Sequence, residues 1–310
     1  MHLLAFDTST DALSVAVMRS TPTGPLYWQH QGAGGAAASG SLIAAIMDLL
    51  RQADVRLQDL DAICFGSGPG SFTGLRTACS VAQGLAYGAG VPVLPVASLL
   101  ALAQTARAAH APEANQGCVS ALLDARMDEV YAATYAFAGD VWTTVQSPCL
   151  LAPEQVAVWS QAAAALQPDA ANAHHRPVAE TGRAKGEEST PLLSQAQVAK
   201  AYQAAPHWRA WAGNVFASYG ERLTAPATVM CCDALPQAMA ILQVAPALIK
   251  AGACVPPDQA LPLYVRDKVA KTTGERALEK AAKAGIAHTE AALAAAPIAQ
   301  AATHAQTAGS

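Results

Sequence analysis

The sequence predicts an α/β protein built from two lobes of similar design. Two apolar strand segments each end in an aspartate turn and continue into a second strand, at residues 3–17 and 118–137. Alternation of apolar and polar side chains along these segments is typical of half-buried strands. Apolar residues at helical spacing follow the first hairpin and a glycine-rich loop. The repeated unit of strand, turn and strand indicates that the second lobe repeats the plan of the first.

Composition and charge limit the class of protein. Of 310 residues, 52% are hydrophobic and 14% are charged, and the formal net charge is −4. This charge argues against binding nucleic acid by neutralising phosphates over a broad surface. Seven cysteines without a C-x-x-C pair indicate neither a disulfide framework nor a zinc ribbon. Since we find no signal-peptide pattern and no run of about 18 apolar residues, we expect a cytoplasmic protein without a membrane span.

The first lobe is predicted over residues 1–112. A hairpin opens it, a helix that is apolar on two faces follows, and a glycine loop then joins a strand to a second helix. The predicted strands are Leu3–Phe6, Ala12–Val17, Leu60–Phe65 and Val91–Val96, and the predicted helices lie at residues 42–50, Leu75–Ala89 and Ala97–His110.

The second lobe is predicted over residues 113–274. Its strands are expected at Cys118–Leu123, Glu129–Phe137, Trp211–Phe216 and Ala260–Val265, and its helix at Leu235–Ala251. Residues near 161–206 are rich in Ala, Gln, His, Pro and Glu, which predicts a polar insertion. The alanine-rich tail, residues 275–310, is expected to be poorly ordered.

Two of the three predicted helices of the first lobe carry the pattern of a helix–helix interface. The helix at residues 42–50 is apolar on two sides, so that something must pack on both. The helix from Leu75 carries small residues at spacings that let another helix approach closely. Burial in the core of the chain itself explains both patterns equally well.

The glycine loop from Gly66 to Gly74 follows a strand and opens a helix, an arrangement that suits an anion. It fits neither common phosphate motif. A Walker A loop requires a Lys, and the chain has none before Arg76. A dinucleotide fingerprint needs a last glycine where this chain has Ser71 or Thr73. A tight turn that lets the helix pack closely on the strand, with Ser71 or Thr73 as N-cap, is therefore favoured.

Asp7 and Asp124 occupy equivalent turns in the two lobes. Such a pair could hold a metal-bound phosphate between the lobes, whereas each aspartate alone is more typical of an Asx turn or a cap. His174, His175, Cys231 and Cys232 do not form a metal set, and we find no protease or hydrolase motif. We therefore predict no catalytic or metal-ligating residues.

Five segments closely resemble the TsaB (YeaZ) family, and the block GPGSFTGLR within the second is the most specific of them. The match runs in order over roughly residues 1–160 and 208–268. The segments are Leu4–Thr10, Gly66–Arg76, Ala82–Ala86, Leu123–Tyr131 and Pro262–Arg266.

The resemblance implies a two-lobed fold of the actin-like ATPase superfamily, with an RNase H-like sheet in each lobe. It also implies a non-catalytic dimerisation and activating subunit for the synthesis of N6-threonylcarbamoyladenosine at position 37 of tRNA. The implied partners are the catalytic paralogue TsaD, the small ATPase TsaE and, through the complex, tRNA. A homodimer is expected when TsaD is absent. No cofactor of its own is implied, and ATP or ADP would bind at the interface of the complex.

Residue roles carry over from the same resemblance. The family's catalytic paralogues bind metal through histidines on the first helix, but residues 31–50 contain none. Even the single His that many TsaB-like chains keep there is replaced by Ala38. Arg126 would crowd a triphosphate. An independent actin-like ATPase or phosphotransferase remains the alternative.

These implied roles form three groups. The partner interface comprises Leu42, Ile43, Ile46, Met47, Leu50, Leu75, Ala78, Cys79, Ala82, Leu85 and Ala86. The degenerate nucleotide-site turns comprise Asp7, Thr8, Ser9, Asp124 and Arg126, and the conformational loop comprises Gly68, Pro69, Gly70, Ser71, Phe72, Thr73, Gly74 and Arg76.

Overall fold

Two five-stranded sheets with the same connectivity form the framework of the protein. A computed structural model describes residues 1–35, 38–165 and 208–266. The first sheet has the order β3-β2-β1-β4-β5. β1, β2 and β3 are antiparallel neighbours, whereas β4 is parallel to β1 and β5 to β4. Its strands are β1 (His2–Asp7), β2 (Ala12–Thr21), β3 (Gly24–Ala33), β4 (Ala62–Gly68) and β5 (Val93–Ala97).

The second sheet repeats this plan. Its order is β10-β9-β6-β7-β8, with β6, β7 and β8 antiparallel, β9 parallel to β6 and β10 parallel to β9. The prediction of a two-lobed actin-like fold with RNase H-like sheets is confirmed by this repeated topology. The strands are β6 (Gln116–Arg126), β7 (Glu129–Ala138), β8 (Val141–Leu151), β9 (Trp208–Gly213) and β10 (Met230–Asp233).

The helices cover both faces of the first sheet. α1 lies over β2 and β3 and α2 over β4, while α3 and α5 fill the space between the two sheets. Among the described residues, no helix combines the length and the apolar run needed to cross a bilayer. The helices are α1 (Ala38–Ala53), α2 (Phe72–Ala89), α3 (Ser98–His110), α4 (Val156–Ala165) and α5 (Ala238–Lys250).

Three hydrophobic clusters form the core. The largest lies between the two sheets and joins them through α3 and α5. A second packs α1 and α2 on the outer face of the first sheet, and a third packs Val156 of α4 and the one-turn helix Phe216–Tyr219 against the second sheet. Met1–Val265 accordingly form one compact unit.

Several elements differ from the sequence-based prediction. β3, β8, β10 and α4 were not predicted, because β3 and β8 are edge strands with little buried apolar surface and β10 has only four residues. The predicted strand Ala260–Val265 is wrong. Pro262 has no N–H group to donate to a neighbouring strand, and the segment makes a single backbone hydrogen bond to β4, from Leu263 N to Ser67 O.

Two further predictions, the polar insertion and the tail, fall largely outside the part of the chain that the structure describes. Residues 161–165 belong to α4, whereas the rest of the insertion, 166–206, and the tail, 275–310, lie outside the described residues. The lobe boundary at residue 112 stays a prediction.

Candidate functional site

The first aspartate turn is closed on itself by hydrogen bonds. Asp7, Thr8 and Ser9 are almost fully buried where β1 ends. The Oδ1 atom of Asp7 accepts bonds from the Ser9 amide at 2.7 Å and from the Ser9 hydroxyl at 2.6 Å. Its Oδ2 atom accepts a bond from the Ser98 hydroxyl, at the start of α3, at 2.7 Å. Both carboxylate oxygens are thus engaged by the chain's own donors.

Burial sets the ionisation of this carboxyl group. Removal from water raises the pKa of Asp7 above its ordinary value, and the bonds from Ser9 and Ser98 oppose this only in part. In residues 1–35, 38–161 and 208–266, no three His, Cys, Asp or Glu side chains lie close enough together to hold a metal. The bonds from Ser9 and Ser98 give Asp7 a structural role in closing the turn.

The glycine loop packs directly on this turn. A Cβ atom at Gly66 would lie 1.7 Å from Oδ2 of Asp7, and one at Gly74 would lie 1.9 Å from the Thr8 carbonyl oxygen. A Cβ atom at Gly70 would lie 2.4 Å from the Ser9 carbonyl oxygen. Gly70 and Gly74 are therefore required by the approach of two backbones, and Gly66 by the buried Asp7 side chain, which confirms the tight-turn interpretation.

The loop ends as predicted at the start of α2. The Ser71 hydroxyl accepts a bond from the Gly74 amide at 3.5 Å, so Ser71 is the N-cap. The Thr8 hydroxyl donates to the Gly74 carbonyl oxygen at 2.7 Å. The first turn of α2 is thereby fixed to the β1–β2 turn. Whether the loop changes conformation stays a prediction.

The second aspartate turn joins β6 to β7 with an unusual backbone. Arg126, Met127 and Asp128 all have φ near +60°, a left-handed conformation that costs an L-residue about 1 to 2 kcal/mol. Asp124 anchors the turn, because its Oδ1 atom accepts bonds from the Arg126 amide and the Tyr219 hydroxyl, each at 2.8 Å. Burial and the neighbouring Asp124 carboxylate raise the pKa of Tyr219 to about 12.

Arg126 connects the two turns. Its guanidinium lies 2.8 Å from Oδ2 of Asp11, in the β1–β2 turn, and 3.6 Å from Oδ2 of Asp124. The two turns predicted to be equivalent therefore face each other. Arg126 reaches across the space between them, which is the position where crowding of a phosphate was expected.

The predicted partner residues divide into a buried set and an exposed set. Ile43 and Met47 of α1 are about half exposed, at 49% and 48%, and Leu85 of α2 is half-buried. The other eight predicted residues contribute to the chain's own core, so the surface open to a partner contains fewer residues than predicted. These eight are Leu42, Ile46, Leu50, Leu75, Ala78, Cys79, Ala82 and Ala86.

The outer face of α2 has features that sequence reasoning did not single out. Tyr87 is 84% exposed, more than any of the other large apolar side chains at the surface of the described residues. Gly84 and Gly88 lie one turn apart beside it, and a Cβ atom at either would meet nothing within 4 Å. The chain's own packing therefore does not require these glycines. We call Ile43, Met47, Gly84, Tyr87 and Gly88 the α1–α2 face.

A segment from the end of the second lobe binds along α2. We call residues 253–265 the C-terminal strap. Its Ala260 carbonyl oxygen accepts bonds from Gln83 Nε2 at 2.8 Å and from Cys79 Sγ at 3.2 Å. The Tyr264 hydroxyl accepts a bond from Arg76 Nε at 3.1 Å. The strap therefore follows α2 in the opposite direction.

An aromatic cluster fixes the end of the strap. The Arg76 guanidinium stacks 3.7 Å from the ring centre of Phe72, and the rings of Phe72 and Tyr264 lie 5.4 Å apart. Arg76 and Phe72 were predicted as members of the conformational loop, whereas their contact with Tyr264 was not. The resemblance of Pro262–Arg266 to the family was the signal that could have indicated it.

Comparison with known proteins gives consistent matches. A family model described as "TsaD: tRNA N6-adenosine threonylcarbamoyltransferase" matches residues 36–274. The tRNA threonylcarbamoyladenosine biosynthesis protein TsaB of Haemophilus influenzae is 41% identical over 134 residues, 42% of this chain and 52% of that protein. TsaB of Escherichia coli is 34% identical over 157 residues, 50% of this chain and 64% of that protein. The chain thus spans between half and two thirds of the length of these curated relatives.

Solved structures extend the similarity over most of the chain. YeaZ from Pseudomonas aeruginosa superposes with a TM-score of 0.60 at 33% identity, covering 85% of this chain and 99% of that one. A second Pseudomonas aeruginosa structure, of an uncharacterized protein with similarity to peptidase YEAZ, has a TM-score of 0.62 at 32% identity. It covers 86% of this chain and 99% of its own.

Proposed function

Because the chain belongs to the TsaB/YeaZ family, we propose that it acts in the synthesis of N6-threonylcarbamoyladenosine in tRNA, as a non-catalytic subunit. In this role it pairs with a TsaD-type catalytic paralogue and holds it in an active conformation. The match to a TsaD family model supports a partner built on the same fold.

The α1–α2 face is the observation that carries this proposal. Ile43, Met47 and Tyr87 expose apolar surface on two helices that pack side by side on one sheet. An aromatic side chain beside small residues is typical of the centre of an interface. Gly84 and Gly88 would let a partner helix approach the backbone of α2, at a cost to the isolated helix.

The two aspartate turns support a subunit that does not catalyse the transfer. Asp7 is occupied by the donors of Ser9 and Ser98, and Arg126 extends into the space between the turns. A nucleotide that binds to the complex would therefore be held mainly at the interface with the partner. TsaE and tRNA would join through the assembled complex, in the cytoplasm.

The experiment is reconstituted threonylcarbamoyl transfer to tRNA. A purified TsaD-type paralogue, TsaE and the enzyme that forms the threonylcarbamoyl adduct are combined with and without this chain. Modification that requires the chain is expected. Equal modification without it, or ATP turnover by the chain alone at a comparable rate, would instead favour an independent actin-like ATPase or phosphotransferase.

A pair of variants tests the surface itself. Met47→Glu places a charge on the exposed face of α1 and should abolish both pairing and modification. Val158→Glu is the matched control, because Val158 is an exposed apolar residue of α4 on the second sheet. Both variants should keep the circular dichroism spectrum of the parent. Loss of activity in both would show that the α1–α2 face has no special role.

A further inference from the structure

A groove lies at the opposite end of the two sheets from the aspartate turns. It is lined by the far ends of β2 and β3, by the β7–β8 turn and by α3 and α5, and its volume is about 400 Å³. Met18 and Leu242 are buried in its floor. A volume of this size falls in the range of small-molecule sites. The groove is therefore distinct from the α1–α2 face and from the two turns.

Aromatic rings and one charge of each sign line the groove. Tyr27 is 43% exposed on β3, and Trp142 is half-buried on β8. The Arg107 guanidinium lies 6.0 Å from the ring centre of Trp142 and donates to the carbonyl oxygens of Gly139 and Ala114. Asp140 supplies a carboxylate at the rim. Opposite charges in one groove disfavour both a strongly cationic and a strongly anionic ligand.

A chain of side-chain amides reaches the groove from within. Trp142 Nε1 donates to Gln104 Oε1 at 3.0 Å, and Gln104 Nε2 donates to Gln243 Oε1 at 2.8 Å. Gln104 is 9% exposed. Each amide nitrogen carries two N–H donors. Gln243 and Asp140 are exposed at the groove, and the Asp140 carboxylate interacts electrostatically with Arg107. Among the described residues, no side-chain hydrogen bond engages the second N–H of Gln104, the N–H groups of Gln243 or the Asp140 carboxylate.

We infer that this groove binds a guanine base, presented by a nucleoside or a nucleotide. The aromatic rings favour a planar ligand, and the balance of charges favours a neutral one. Gln104 and Gln243 offer donors that suit the O6 and N7 acceptors of guanine. The Asp140 carboxylate offers two acceptor oxygens to the adjacent N1–H and N2–H groups. Adenine and cytosine lack such a pair of adjacent donors.

The test is calorimetric titration of the full chain with guanosine, GMP, inosine and adenosine. Guanosine and GMP should bind with similar affinity, with a dissociation constant below about 1 mM. Inosine, which lacks the N2 amino group, and adenosine should bind at least about tenfold more weakly. Binding should also change the fluorescence of Trp142, a change that Trp142→Phe removes.

A matched pair of variants assigns the carboxylate. Asp140→Asn should weaken guanosine binding about tenfold or more, whereas Asp258→Asn, an exposed aspartate in another turn, should leave it unchanged. Four results would overturn the inference: no binding of guanosine, equal binding of adenosine, binding of GMP alone, or an unchanged affinity in Asp140→Asn. None of these results bears on the pairing proposed for the α1–α2 face.

Discussion

The glycines of α2 allow a test in which stability and pairing change in opposite directions. Gly84 lies in the interior of an 18-residue helix and Gly88 in its last turn, and a Cβ atom at either would have open space within 4 Å. Replacing a helical glycine by alanine gains about 0.8 to 1 kcal/mol. The double variant Gly84→Ala, Gly88→Ala should therefore stabilise the isolated chain by about 1 to 2 kcal/mol, or about 2 to 4 °C in Tm.

The same two methyl groups should weaken pairing. If a partner helix contacts the backbone of α2 at these glycines, each methyl overpacks the interface at a cost of about 1 to 3 kcal/mol. The dissociation constant with the TsaD-type paralogue should then rise by about tenfold or more. Thermal unfolding of the isolated chain measures the first effect, and calorimetric titration with the paralogue measures the second.

Two results would refute this reasoning. Higher stability with unchanged affinity would place the partner elsewhere on the chain. Lower stability of the isolated chain would show that the two positions are packed rather than open.

Two further predictions concern the aspartate turns. Burial raises the folded-state pKa of Asp7 above its ordinary value of 3.8, so the native state binds the carboxyl proton more tightly than the unfolded state does. The stability that this protonation contributes is present below pH 3.8 and is lost as pH rises through the folded-state pKa. The side chain of Asp7→Asn stays neutral, so the free energy of unfolding of the variant should rise relative to that of the parent as pH rises, measured by urea unfolding at a series of pH values. A difference in stability that does not depend on pH would contradict this. Met127→Asn should raise the free energy of unfolding by about 0.5 to 1 kcal/mol, because asparagine tolerates φ near +60° better than methionine does. An unchanged denaturation midpoint would show that the left-handed turn costs nothing.

The sequence predicted the elements whose patterns are local. The hairpin around Asp7, the glycine loop with its Ser71 cap, the helix over α2 and the repeated hairpin at Asp124 all follow from alternation, helical spacing and turn chemistry. The RNase H-like sheet of each lobe followed from the family resemblance, because strand pairing is a long-range property that periodicity does not encode.

The features that the sequence did not predict depend on contacts between residues far apart in the chain. The bond from Ser98 to Asp7 spans 91 positions, and the bond from Arg76 to Tyr264 spans 188. No spacing rule connects such pairs. The pattern of α1 also gave two apolar faces but could not show that Ile46 faces the sheet and Met47 faces outward, because both faces are apolar.

The C-terminal strap has a consequence for how the protein is made. During synthesis the N-terminal part of a chain emerges and begins to fold first. Yet α2 obtains its bonds from Cys79 and Gln83 to Ala260, and β5 its pairing with Val255, only when the last part of the compact unit has left the ribosome. The helix with the exposed glycines is thus completed last. A chain truncated before the strap would present an unfinished α2, so a partner that binds this helix would discriminate against copies that lack the strap.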